Sequence, residues 1–135
     1  MLDGGVMSKD DFDFDREFGD LDGDLDLTLY ADAAELTEEV VAQTLQSIDE
    51  GLSVRTRFDL ALTGGTLGLT ISTKLVQIFN QDLSKFAGLH IWWSDERYVE
   101  SDSQERNVKA FHGKLLNPNV VVHEVLASDE SLDAN

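Results

Sequence analysis

Apolar residues return along this chain with two periods, and the switches between them mark out its elements. Leu25, Leu27 and Leu29 alternate with polar neighbours as far as Tyr30, which is the spacing of a first strand. Leu36, Val40, Val41, Leu45 and Ile48 then fall on one face of a helix. Asp32, with Glu35 three residues on, has the form of a capping box, Glu38 and Glu39 suit the positive end, and Gly51 is the expected stop. Residues 57–62 are nearly all apolar at their centre, as in a strand covered on both faces. Leu67, Ile71, Leu75 and Ile78 form the stripe of a helix of about four turns, with Lys74 on its polar side. Leu89 to Trp93, rich in aromatic and branched residues, is a further strand. Asp102, Ser103 and Glu105 look like the cap of another helix, with Val108, Phe111 and Leu115 as its buried face and Pro118 as its end. Residues 120–123 read as a last strand, and 128–135 are polar with no further element. Strand, helix, strand, helix, strand is the order of a parallel sheet with right-handed crossovers, so the fold class is α/β.

Two stretches of that pattern carry candidate chemistry. The first is the turn that leaves the strand at 57–62: Thr63, Gly64, Gly65 and Thr66. Adjacent glycines let the backbone approach a ligand closely, and the helix that follows points unpaired N–H groups at the same spot, a recipe for holding an anion. The alternative is a tight connection with no ligand. The second stretch, Ser94-Asp95-Glu96-Arg97-Tyr98-Val99, follows the strand ending at Trp93. In an open parallel sheet, ligands sit at the carboxyl ends of the strands, and both stretches lie at that edge. Arg97 can offer a planar fork to a phosphate or carboxylate, with Asp95 and Glu96 orienting it or holding substrate hydroxyls. It can equally pair with Glu96 or Asp95 at the surface, where such a pair contributes little. Trp92 and Trp93 read as core packing more than as a sugar platform, since successive strand residues face opposite ways. His90, His112 and His123 are too scattered for a ligand pair and are read as structural.

Composition narrows the partners. A formal charge of −17 in 135 residues argues against nucleic acid or an anionic membrane, which would be repelled. An anion must therefore be held locally, by backbone dipoles and a few basic side chains. No cysteine is present, so disulfides, thiolate nucleophiles and cysteine metal sites are excluded; no metal and no cofactor is expected. Residues 1–24 crowd aspartates among glycines and read as an acidic disordered leader, with residues 25–135 as the folded part. Asp22, Asp24 and Asp26 imitate part of a calcium loop but lack its later acidic ligand. A start at Met7 or further on would also explain such a leader. With neither a membrane span nor the basic flank and apolar core of a signal peptide, the expected compartment is the cytoplasm.

Leu60-Ala61-Leu62-Thr63-Gly64-Gly65-Thr66, then Trp93-Ser94-Asp95-Glu96-Arg97-Tyr98-Val99, then Glu105-Arg106-Asn107, together resemble the N-terminal half of the 6-phosphogluconolactonase family, relatives of glucosamine-6-phosphate deaminase. The likeness covers about residues 25–126. It implies a doubly wound parallel sheet, Rossmann-like and of the NagB/RpiA/CoA-transferase type, here truncated. It implies metal-free hydrolysis of 6-phospho-D-glucono-1,5-lactone to 6-phosphogluconate, a step of the pentose phosphate pathway. Carried over position by position, it implies that Thr63, Gly64, Gly65, Thr66, Arg97 and Asn107 bind the sugar phosphate, with Asp95 and Glu96 in support. Two departures bear on substrate preference: Leu67-Gly68 stands where many members have Thr-Pro, and Arg106 where many have Ser. The family's Gly-Asp-Gly-His stretch, whose histidine is thought to activate water, has no counterpart in residues 1–135, so the catalytic residue stays unknown and the chain alone is expected to lack its general base. The partners implied are the lactone and either a complementing chain or self-association through an exposed sheet edge. A sugar-phosphate isomerase or deaminase relative is the enzyme alternative, although those tend to carry tyrosine where Arg97 stands. A non-catalytic sugar-phosphate-binding fragment is the alternative from outside the enzymes.

Overall fold

The computed structural model describes residues 26–132; the leader expected at 1–24 lies outside them. The chain divides into two compact units, Met1–Glu39 and Val40–Asn135, and the line between them falls within the first helix, α1, Ala33–Val54. In the first unit, residues 26–30 form no strand, against the expectation from their alternation. Alternating leucines supply a face, but a strand exists only where its backbone groups find a ladder partner, and among the described residues none is found. The start of α1 is as expected. The Glu35 amide donates to Asp32 Oδ1 at 2.8 Å, and the Glu35 carboxylate accepts from the Ala31 amide at 3.3 Å.

In the second unit, α1 runs a turn past Gly51 to Val54. The missing side chain at Gly51 serves packing rather than termination: a Cβ there would lie 2.9 Å from Phe58 Cε2. Three parallel strands follow in the order β1-β2-β3: β1 is Phe58–Leu62, β2 is Leu89–Trp93 and β3 is Val121–Val122. Leu62 pairs with Trp93 and Ile91 with Val122. One sheet face puts Leu62, Leu89, Ile91 and Trp93 into a core shared with Ile48, Leu75, Val76, Phe79, Val108 and Phe111. The other face carries Asp59, Ala61 and Trp92, all exposed, so the apolar centre of β1 is covered on one side among the described residues. On that open face Trp92 stacks on His123 at 3.8 Å and donates Nε1–H to Asp59, while His90 Nδ1 and His123 Nε2 share a hydrogen at 2.8 Å. The two tryptophans do face opposite ways. Only Trp93 is core.

The second helix, α2, spans Gly65–Gln81 between β1 and β2. Its buried line is Gly68, Ser72, Leu75, Val76 and Phe79, rotated from the expected stripe, so that Leu67 is exposed and Ile71 and Ile78 flank the contact. At Gly68 the missing side chain lets α2 pack on the carbonyl of Thr63, in the turn that leaves β1. The helix expected after Asp102 is instead a single 3₁₀ turn, Asn107–Ala110, followed by turns that include Gly113 at φ 72°. Val108 and Phe111 are buried as expected, Leu115 partly. At the far end of α2, Asn117 Nδ2 donates to the carbonyls of Phe79, Asp82 and Lys85, tying the approach to β3 against the helix. Among the described residues no helix is long and apolar enough to cross a membrane.

Candidate functional site

Because β1 and β2 are parallel, the turns leaving them open at the same edge, and the Ser94 amide donates to Leu62 O at 2.8 Å where they part. Between them lies a cavity of about 330 Å³ lined by Gly64, Gly65, Thr66, Arg97, Asn107 and Lys109, with Leu69, Gln104, Glu105 and Arg106 completing the wall. The two stretches singled out in the sequence thus meet at one opening.

Two glycines make the first wall, each for its own reason. Gly65 has φ 80°, a backbone state that L side chains rarely adopt, and the space around it is open. Gly64 has ordinary extended backbone, but a Cβ there would lie 2.5 Å from Asn107 Cγ and 2.7 Å from its Nδ2. Asn107 therefore packs directly on the turn, and its amide group is held by the Asp95 carbonyl and carboxylate, both at 3.1 Å. As N-cap of α2, Gly64 brings no side chain to the helix end, so among the described residues the first amides of α2 face the cavity without a side-chain cap.

Glu96 explains the second wall. Its side chain has no exposed surface, and its carboxylate accepts from the Asn107 and Val108 amides, the first of the 3₁₀ turn, and from the Arg97 amide. Of the two helical N-termini at this edge, one is closed by the protein's own carboxylate and the other is left open. Arg106 is buried beside Glu96, Nε to Oε2 at 3.9 Å, and donates Nη1–H to Arg97 O and Nη2–H to Val125 O. Arg97 itself is exposed, and among the described residues its guanidinium has no carboxylate partner, because Glu96 and Asp95 are otherwise engaged. Lys109 anchors one of its three ammonium hydrogens on Gln104 O at 2.7 Å. Three of the ten lysines and arginines of this acidic chain, Arg97, Arg106 and Lys109, line one cavity.

Of the residues expected at the site, Gly64, Gly65, Thr66, Arg97 and Asn107 come together here. Thr63 does not line the cavity; its carbonyl packs on Gly68 instead. Asp95 and Glu96 stand behind the wall as acceptors for Asn107 and the 3₁₀ turn. Lys109 and Arg106 were not foreseen as site residues. The sequence carried no signal for them: the alternate burial of Arg106, Val108 and Ala110, which leaves Asn107 and Lys109 together on the cavity side, is visible only in the structure. No histidine lines the cavity, and among the described residues no three His, Asp or Glu side chains are grouped to hold a metal. Backbone amides, a guanidinium and an ammonium all donate hydrogen bonds, so the chemistry of this wall suits an anion.

Comparison with known proteins finds a match over residues 31–135 to the family described as glucosamine-6-phosphate isomerases/6-phosphogluconolactonase. A 6-phosphogluconolactonase of Mycobacterium tuberculosis is 30% identical over 107 residues, 76% of this chain and 42% of that protein. A rice protein named probable 6-phosphogluconolactonase 3, chloroplastic, is 30% identical over 108 residues, 78% of this chain and 33% of its own. Among solved structures, a putative 6-phosphogluconolactonase from Neisseria gonorrhoeae shares the fold with a TM-score of 0.60 at 20% identity, covering 76% of this chain and 44% of that one. The 6-phosphogluconolactonase of Thermotoga maritima aligns with a TM-score of 0.50 at 25% identity, over 65% and 41%. The chain thus spans about two fifths or less of the length of the curated relatives it matches.

Proposed function

The chain belongs to the family of glucosamine-6-phosphate isomerases and 6-phosphogluconolactonase, and from that premise we propose that its cavity is the sugar-phosphate-binding part of a 6-phosphogluconolactonase, which hydrolyses 6-phospho-D-glucono-1,5-lactone to 6-phosphogluconate in the cytoplasm. The observation that carries this is the union, across one opening, of an α2 N-terminus and an Arg97 guanidinium that among the described residues have no side-chain cap and no carboxylate partner. The amides of Gly65 and Thr66 and the Arg97 fork would take the phosphate oxygens, and Asn107 a hydroxyl. Lys109 would add a second positive charge, which a dianion needs in a chain so acidic overall. Opening a lactone requires a general base within reach of water and donors for the developing oxyanion. The cavity supplies donors and no histidine. We therefore assign this chain the binding half of the reaction, with the base supplied from outside these residues; a sugar-phosphate-binding role without catalysis is the second reading, favoured by the same lack of histidine.

Thermal unfolding with and without 6-phosphogluconate tests the proposal. At about a hundred times its dissociation constant the ligand should stabilise by about 2.7 kcal/mol, roughly 10 °C in midpoint. Arg97→Ala should remove most of that shift. Equal shifts for both proteins would take Arg97 out of the site, and lactone hydrolysis by the purified chain well above the spontaneous rate would show that the base is inside it.

A further inference from the structure

Arg106 has only 1% of its surface exposed and no place in the anion-binding role given to Arg97 and Lys109. We propose that it is the positioning residue of the cavity, setting where Arg97 stands; this rests on the cavity being the sugar-phosphate site.

Arg97 is gripped at both of its peptide groups. Its N–H donates to Glu96 Oε1 at 2.9 Å, and its carbonyl accepts from Arg106 Nη1 at 3.0 Å. The same guanidinium donates through Nη2 to Val125 O at 2.5 Å, so one side chain spans from residue 106 back to 97 and forward to 125. Glu96 closes the circuit: it lies 3.9 Å from Arg106 Nε and holds the amides of Asn107 and Val108. The main chain on either side of the Arg97 side chain is therefore fixed by buried groups, while the side chain itself is left to the cavity. Pre-organisation of this kind is what a binding arginine needs, because ordering a long side chain on a loose loop would cost affinity. Only a guanidinium can do it. A lysine at 106 would keep a positive charge beside Glu96 but lacks the planar fork whose two terminal nitrogens each reach one of these carbonyls. Arg106 donates no hydrogen bond to the opposite wall, Gly64 to Thr66, and reaches it only indirectly, through Glu96 and Asn107.

The experiment is a double-mutant cycle on the full chain, with inorganic phosphate and 6-phosphogluconate as probes and amide chemical shifts as the readout of affinity. Arg106→Lys should weaken binding by about tenfold in the native background and by less than about twofold in Arg97→Ala, since the effect runs through Arg97. A merely structural loss would weaken both backgrounds alike, and that result, or no weakening in either, overturns the proposal. If Arg97→Ala leaves affinity unchanged, the sugar-phosphate reading fails and the proposal falls with it. A second measurement needs no variant. In the free native protein the guanidinium hydrogens of Arg106 should exchange slowly with solvent and those of Arg97 quickly, with Arg97 slowing once phosphate is bound. Arg106 hydrogens as fast as those of Arg97 would mean that the pin is absent.

Discussion

Gly64→Ala isolates the contact that joins the two walls of the cavity. The backbone at Gly64, φ −94° and ψ −156°, is extended, so alanine meets no serious conformational penalty of its own. Its new Cβ would stand 2.5 Å from Asn107 Cγ and 2.7 Å from Nδ2, where ordinary van der Waals contact begins near about 3.4 Å. The Asn107 amide group must retreat by about 1 Å, and its two 3.1 Å hydrogen bonds to Asp95 cannot survive that movement. At about 1 kcal/mol for each bond, the substitution should destabilise by about 2 kcal/mol and lower the unfolding midpoint by roughly 8 °C. Urea unfolding measures the first figure directly. In an Asn107→Ala background the obstacle is gone, and Gly64→Ala should then cost less than about 0.5 kcal/mol. Gly65→Ala is the contrasting case: nothing crowds it, but φ 80° penalises any Cβ by about 1–2 kcal/mol, with or without Asn107. Equal costs for Gly64→Ala in the two backgrounds would refute the close-approach argument.

Two further outcomes follow from the same structure. Hydrogen bonds from Arg57 and then from Trp92 hold the Asp59 carboxyl down at about 2, so its contribution to stability is complete above the unfolded value of about 3.9 and is lost as pH falls through 2. The difference in melting temperature between the native chain and Asp59→Asn should accordingly be constant from neutral pH to about 5 and narrow below about 4; a gap still undiminished at pH 2 would show that it is not electrostatic. Glu96→Ala leaves the buried Arg106 guanidinium without its counter-charge and three amides without their acceptor, and should destabilise by about 3 kcal/mol in urea titrations. A loss under about 1 kcal/mol would mean that water takes over the carboxylate's place.

Much of the scaffold could be read from local pattern because local physics produces it. The strand Leu89–Trp93, the parallel order of strands, the helix after Gly64 and the placing of two polar stretches at one sheet edge all depend on periodicity and on crossover handedness, which short windows of sequence carry. The failures share a cause. Residues 26–30 alternate like a strand and find no ladder; Gly51 looks like a stop and is a packing gap under Phe58; residues 107–115 have helical spacing and form one 3₁₀ turn. In each case the outcome turned on a packing or pairing partner that local periodicity does not reveal.

The candidate site divides in the same way. That Gly64, Gly65, Arg97 and Asn107 share an opening follows from the chain's own order, since parallel strands must release their turns at one edge. Which charged residue faces the opening and which is consumed behind it was decided only when the chain closed on itself. Glu96, Arg97, Arg106 and Lys109 are all plain charged residues to a sequence reader. Burial then set Glu96 and Arg106 3.9 Å apart as opposite charges and turned their hydrogen bonds onto the nearby backbone, because a desolvated charge without a partner is costly. Arg97 and Lys109, left at the surface, were the two cations whose charge could still be offered to a ligand.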